Sequence, residues 1–125
     1  MQIYTPSTAI VGNNYFKNLT VLKDQKVFFF FSTSSNLTIY NETAENNTLD
    51  DLYTIGAVYN ISIKDFSVKN NMNTGSITET SAVLRISTAN KIAKIENFAV
   101  TDSTFMYGKA LEIEYALNFE FRNST

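Results

Sequence analysis

Leu111-Glu112-Ile113-Glu114-Tyr115-Ala116-Leu117-Asn118-Phe119-Glu120-Phe121 places an apolar residue at every second position. The other face carries Glu112, Glu114, Ala116, Asn118 and Glu120, with Arg122 following in step. Period 2 sustained over a segment of this length describes a strand with one face on a core and the other in water. At about 3.3 Å per residue the segment would span roughly 36 Å, which is long for a globular strand. Wound as a helix it would put Glu112, Tyr115 and Phe119 on one stripe, so no amphipathic face would form.

Working outward, Tyr59 to Lys64 alternates in the same way and resumes out of step at Phe66 and Val68, which predicts a bulge or short turn at Asp65. Ser81 to Ser87 and Leu37 to Tyr40 also read as strands. Leu19 to Leu22 and Val27 to Phe31 read as two more, flanking a polar turn at Lys23-Asp24-Gln25-Lys26. Ala89 to Phe98 is ambiguous. Ile92, Ile95 and Phe98 have helical spacing, yet Phe98 to Thr101 favours a strand, and the reading leans to strand. Gly12-Asn13-Asn14, Asn46-Asn47, Asn70 to Gly75 and Tyr107-Gly108 punctuate the strands as turns. No internal repeat stands out. Short strands separated by turn signals predict an all-β, antiparallel β-sandwich or jelly-roll-like fold, with residues 1–125 as a single domain.

Composition agrees with β structure. The chain holds 15 Asn, 15 Thr and 11 Ser among 125 residues, types that disfavour helix interiors and suit strands or turns. Ten Phe and seven Tyr fit pleated, half-buried surfaces. The net charge is −2, and the ten Lys and Arg are scattered, which argues against nucleic acid as a partner. No apolar run approaches the length of a membrane helix, and the first residues carry no basic or apolar leader region, so neither membrane nor signal peptide is expected.

Cys and His are absent, which excludes Ser-His-Asp and Cys-His nucleophile systems and thiolate metal sites. Glu112 and Glu114 could form a carboxylate pair, but Glu120 continues their row and makes them the wet side of a strand. The acidic stretch from Glu42 and Glu45 to Asp50 and Asp51 offers oxygen ligands in a spacing that matches no dedicated calcium loop. Asn-x-Ser/Thr triplets begin at Asn18, Asn36, Asn41, Asn46, Asn60 and Asn123, and the abundance of these residue types accounts for them by chance. No catalytic residue, cofactor or metal is expected.

Phe28-Phe29-Phe30-Phe31 carries the most information about function. Alternate strand residues face opposite ways, so one pair enters the core and the other leaves it. An outward aromatic pair marks an interface. The candidate interface residues are therefore Phe28, Phe29, Phe30 and Phe31, with Leu111, Ile113, Tyr115, Phe119 and Phe121 of the long terminal strand. The expected function is that of a non-enzymatic structural or assembly subunit. Small size, absent Cys and His, and abundant Asn, Thr and aromatics suggest a virion protein made in a host cytoplasm, such as a phage capsid decoration or a head or tail accessory subunit. Its partners would be protein, either itself or other capsid or tail subunits in a multimeric assembly. The alternative is a carbohydrate-binding β-sandwich module that stacks sugars on Tyr40, Tyr53, Tyr59 and Tyr107, although Trp is absent.

Overall fold

The computed structural model describes residues 2–3, 8–21, 26–30, 36–73 and 81–125. Every strand pairing among them is parallel. The antiparallel sandwich or jelly roll expected from the sequence is therefore incorrect. The chain is a parallel β-solenoid of about four turns.

In chain order the strands are β1 (Gln2–Ile3), β2 (Thr8–Gly12), β3 (Tyr15–Lys17), β4 (Lys26–Phe30), β5 (Asn36–Glu45) and β6 (Thr48–Leu49). Then follow β7 (Asp51–Lys69), β8 (Met72–Asn73), β9 (Ser81–Thr101), β10 (Thr104–Phe105) and β11 (Gly108–Arg122). The long strands β5, β7, β9 and β11 bend around corners and contribute to more than one wall. Residues 36–40, 60–64, 92–96 and 118–122 stack as one wall, and 43–45, 67–69 and 99–101 as the next. β6, β8 and β10 form a narrow third wall in a separate sheet. The fourth comprises β4 and the opening residues of β7, β9 and β11.

The corners explain why the turn signals misled. Among the described residues nine non-glycine positions have positive φ, and all are Asn or Asp: Asn13, Asn18, Asn41, Asn46, Asp65, Asn70, Asn97, Asp102 and Asn123. Asx side chains tolerate this left-handed conformation, which costs most other L-residues about 1–2 kcal/mol. Eight of them fall in pairs five residues apart: Asn13 and Asn18, Asn41 and Asn46, Asp65 and Asn70, Asn97 and Asp102, while Asn123 continues the first column. One left-handed residue turns the chain through a corner without reversing it, so the strand resumes against the turn below. The repeat missed in the sequence is this Asx-x4-Asx unit. It returns after 28, 24 and 32 residues, an uneven period that hides it.

The phase shift at Asp65 is such a corner, with φ of 57° inside β7. Four of the six Asn-x-Ser/Thr triplets also have a structural origin. Asn18, Asn41, Asn46 and Asn123 are corners, each followed two positions later by Thr. Ala89–Phe98 lies wholly within β9, so the strand reading holds there.

Stacking places like on like. One interior column runs Val11, Ile39, Ile63, Ile95, Phe121 and another runs Ala9, Leu37, Ile61, Ala93, Phe119. Ile39, Ile63 and Ile95 are essentially inaccessible, and burying each contributes about 1.5–3 kcal/mol relative to exposure. Phe16, Phe28, Tyr53, Phe66 and Phe98 join ring to ring across the core at 4.9–5.7 Å.

A polar ladder runs beside the second corner. Asn47 Oδ1 accepts from the Leu19 amide at 2.8 Å, Asn71 Oδ1 from the Asn47 amide at 3.0 Å, and Ser103 Oγ from the Asn71 amide at 3.0 Å. The Asn47 and Asn71 amide groups donate downward to the Phe16 and Ala44 carbonyls at 2.9 and 2.8 Å. Corner side chains link in the same direction, Asn41 to Asn13 at 2.8 Å and Asn70 to Asn46 at 2.6 Å. Among the described residues no helix is long and apolar enough to cross a membrane.

These contacts predict a graded response to substitution. Asn71→Ala strands the Asn47 amide and the Ala44 carbonyl in the interior and should cost about 2–4 kcal/mol. Asn46→Gly should cost a few tenths of a kcal/mol beyond its lost side-chain bond, whereas Asn46→Val should cost about 1–2 kcal/mol more through left-handed strain. Denaturant midpoints should fall from Asn46→Gly through Asn46→Val to Asn71→Ala.

Candidate functional site: the open ends

Among the described residues the last turn is paired with strands on one side only. β11 pairs with β9 and with no other described strand. Its interior positions are therefore the tops of their columns. Phe119 and Phe121, whose column mates Ala93 and Ile95 are buried, remain 49% and 48% exposed. Their rings stack at 5.9 Å and 24°, forming a short aromatic ridge. Ala116 tops the buried corner column of Val58 and Ala89, and the flanking Tyr115 and Leu117 stay outside it, 53% and 62% exposed. The unbroken alternation of the sequence thus crosses a corner. Leu111 and Ile113, earlier in β11, are half-buried against the core.

Charge beside this edge is neutralised locally. Arg85 lies 2.9 Å from Glu112 and 3.4 Å from Asp51, while Lys109 pairs with Glu112 from three residues away. Burial pushes the Glu112 carboxyl up, but Lys109 and Arg85 together outweigh it and hold the group below the usual carboxylate range. Asp51 also accepts the Ala82 amide at 2.9 Å.

The first turn is open in a different way. Between β2 and β4 lies a hollow of about 360 Å³ lined by Val11, Gly12, Phe16, Val27, Phe28 and Tyr53, among others. Beside it, Glu42 is buried and occupied on both oxygens. It accepts from the Asn14 amide at 3.3 Å, from Asn14 Nδ2 at 3.0 Å, and from the Tyr53 hydroxyl. Desolvation raises the Glu42 carboxyl above its usual range, although all three donors pull the other way. Tyr53 is raised too, by burial and then by Glu42. Gly12 is small for a steric reason, because a Cβ there would strike the Tyr40 ring.

The residues singled out from sequence divide between these places. Phe28 and Phe30 are the inward pair and are buried, Phe29 is half-buried on the outer side, and Phe31 lies outside the described residues. Phe119 and Phe121 stack on each other at the open end, Tyr115 is exposed outside the corner that precedes them, and Leu111 and Ile113 are half-buried earlier in the same strand. The acidic stretch disperses: Glu42 is buried with Tyr53, Glu45 bonds the Tyr15 hydroxyl on the surface, and Asp51 faces Arg85. Among the described residues no group of three or more acidic side chains is placed to hold a metal ion. Of the proposed sugar-stacking tyrosines, Tyr53 is fully buried, Tyr40 and Tyr59 belong to different corners, and Lys91 sits 5.5 Å from the Tyr59 ring. What sequence reasoning missed is the hollow of the first turn. The small residues Ala9 and Gly12, set where later turns carry Leu37 and Tyr40, are its only sequence signal.

Comparison of the chain with protein-family models, with curated proteins and with solved structures returns no match. Neither the fold nor these comparisons support the virion and capsid-decoration terms, and the β-sandwich expected alongside them is overturned.

The buried carboxyl predicts a pH effect of defined sign. A folded-state pKa raised above the unfolded value means that the native state binds more protons, so Glu42 makes the fold less stable as pH rises from the ordinary carboxylate range through its raised value. Glu112, with its lowered pKa, contributes stability that is lost as pH falls below the ordinary range. Glu42→Gln should flatten the first dependence and Glu112→Gln the second, as read from thermal midpoints between pH values of about 3 and 8.

Proposed function

We propose that this chain is a non-enzymatic structural module that engages other protein surfaces through the open ends of its solenoid, with the laddered walls as a stiff spacer between them. The aromatic ridge at the C-terminal end is the observation that carries this reading. Phe119, Phe121, Tyr115 and Leu117 gather apolar surface on one edge strand whose outer backbone groups have no strand partner among the described residues. An apolar patch on an unpaired edge combines the two features that favour strand-on-strand association. Solenoid turns contact only their neighbours, so an end turn that presents apolar interior positions is a surface suited to being covered.

The test compares the dilute wild-type chain with Phe119→Lys/Phe121→Lys by ANS fluorescence and on a glycan array. The wild type should enhance ANS strongly, the variant severalfold less at unchanged far-UV circular dichroism, and neither should retain a glycan. A wild type that leaves ANS dark would mean the ridge is not an available surface and would overturn the reading. Glycan retention lost in Tyr40→Ala or Tyr59→Ala would overturn it too, in favour of sugar binding on the walls.

A further inference from the structure

The geometry points to a second copy of this chain as the occupant of the ridge, stacked head to tail so that the first turn of one copy continues the solenoid beyond the last turn of another. This deepens the end-face reading and rests on it. Three independent features of the two ends support it.

The first is register. Following the ladder through every turn, Gln2 stands in the column that ends at Glu112, and Ile3 in the one that ends at Ile113. On the next wall Thr8, Ala9, Val11 and Gly12 stand in the columns that end at Asn118, Phe119, Phe121 and Arg122. Every one of these pairs is separated by 110 residues. Inside the molecule the spacing between adjacent turns is not constant, since it slips by one at Val58/Asn60 and again at Ala116/Asn118. Those slips cancel between the first and last turns. A second copy could therefore lay β1 and β2 along β11 on both walls at once, with no bulge required at the junction.

The second feature is shape. The tail presents large residues where the head presents small ones: Phe119 over Ala9 and Phe121 over Val11. The head also carries the hollow between β2 and β4, bounded by Val11 and Phe28. An aromatic ridge on one end thus meets a recess at the same column positions on the other. Tail-to-tail pairing would instead set ridge against ridge.

The third is the corner. Asn13 (φ 60°) and Asn123 (φ 49°) are the two ends of one left-handed Asx column. Within the molecule this column is linked by side-chain bonds such as Asn41 to Asn13 and Asn97 to Asp65. Asn123 over Asn13 of the next copy would extend it by the same bond. Because the contact joins two different surfaces without closing a ring, it generates a filament.

Light scattering across a wide concentration range, applied to the full chain, should show growth beyond the dimer as concentration rises. The filament should repeat axially at about 24 Å, five stacked levels at the sheet spacing of about 4.8 Å. Phe119→Lys/Phe121→Lys blocks the tail and Val11→Lys the head. Each variant should be monomeric alone with unchanged circular dichroism, and a mixture of the two should form a one-to-one complex, because each retains the face that the other needs. This complementation separates a blocked face from a misfolded chain. A wild type that stays monomeric at every concentration would overturn the stacking; ANS would then tell whether the end-face reading survives it (bright) or falls with it (dark). A closed dimer abolished by Phe119→Lys/Phe121→Lys and untouched by Val11→Lys would overturn head-to-tail order in favour of a symmetric tail contact.

Discussion

A left-handed Asx residue at each of the two corners that flank the 43–45, 67–69 and 99–101 wall is the constraint on which the rest of this structure depends. The solenoid needs the chain to change direction without reversing, and it needs to do so at the same place in every turn. Asn and Asp meet both requirements, since they adopt positive φ at low cost and their short polar side chains reach the matching residue one turn away. Once the corners are set, the number of residues between them determines which side chains face inward. The five-residue spacing from the first corner to the second puts Phe16, Ala44, Val68 and Val100 in one column. Insertions that make the turns unequal in length fall outside that invariant pair of corners.

The same ladder resolves an apparent conflict in the core. Asn47 and Asn71 are almost wholly buried, a position that would be costly for unpaired amides. Each instead both accepts an amide hydrogen from the preceding turn and donates to a carbonyl of that same turn, so the bond network runs along the axis as the strand hydrogen bonds do. Polar residues here specify register. A slip of one residue would separate every one of these pairs, which an aliphatic column alone would penalise far less. Glu42 is a different case. Its three donors satisfy it, yet burial still raises its pKa above the ordinary carboxylate range.

An architecture of identical rungs creates its own exposed surface. Interior columns need a residue above and below, and the top of each column has one neighbour fewer. Phe119 and Phe121 are half-exposed for that reason alone, since they occupy the columns in which Ala93 and Ile95 are buried. The apolar ridge and the unpaired edge are therefore one feature of β11, whose outer side meets no other strand among the described residues.

Much of this was legible in the chain. Leu111 to Phe121 is a strand as its alternation required, the polar punctuation at Asn13, Asn46 and Asn70 marks real changes of direction, and the phase shift at Asp65 is a true corner. Of the four phenylalanines, one alternate pair does enter the core, as strand geometry demands. The orientation of neighbouring strands was not legible. Alternation has period 2 in parallel and antiparallel sheets alike, and an Asn between two strands suits a hairpin as well as a corner. That choice is made by hydrogen bonds between residues 24 to 32 positions apart, such as Asn60 to Asn36 and Asn97 to Asp65. Only stacking brings those residues together. Composition and pattern determined that this protein would be built of strands joined at Asx residues; tertiary structure alone decided that they coil in one direction, because the register that fixes it is a contact between turns.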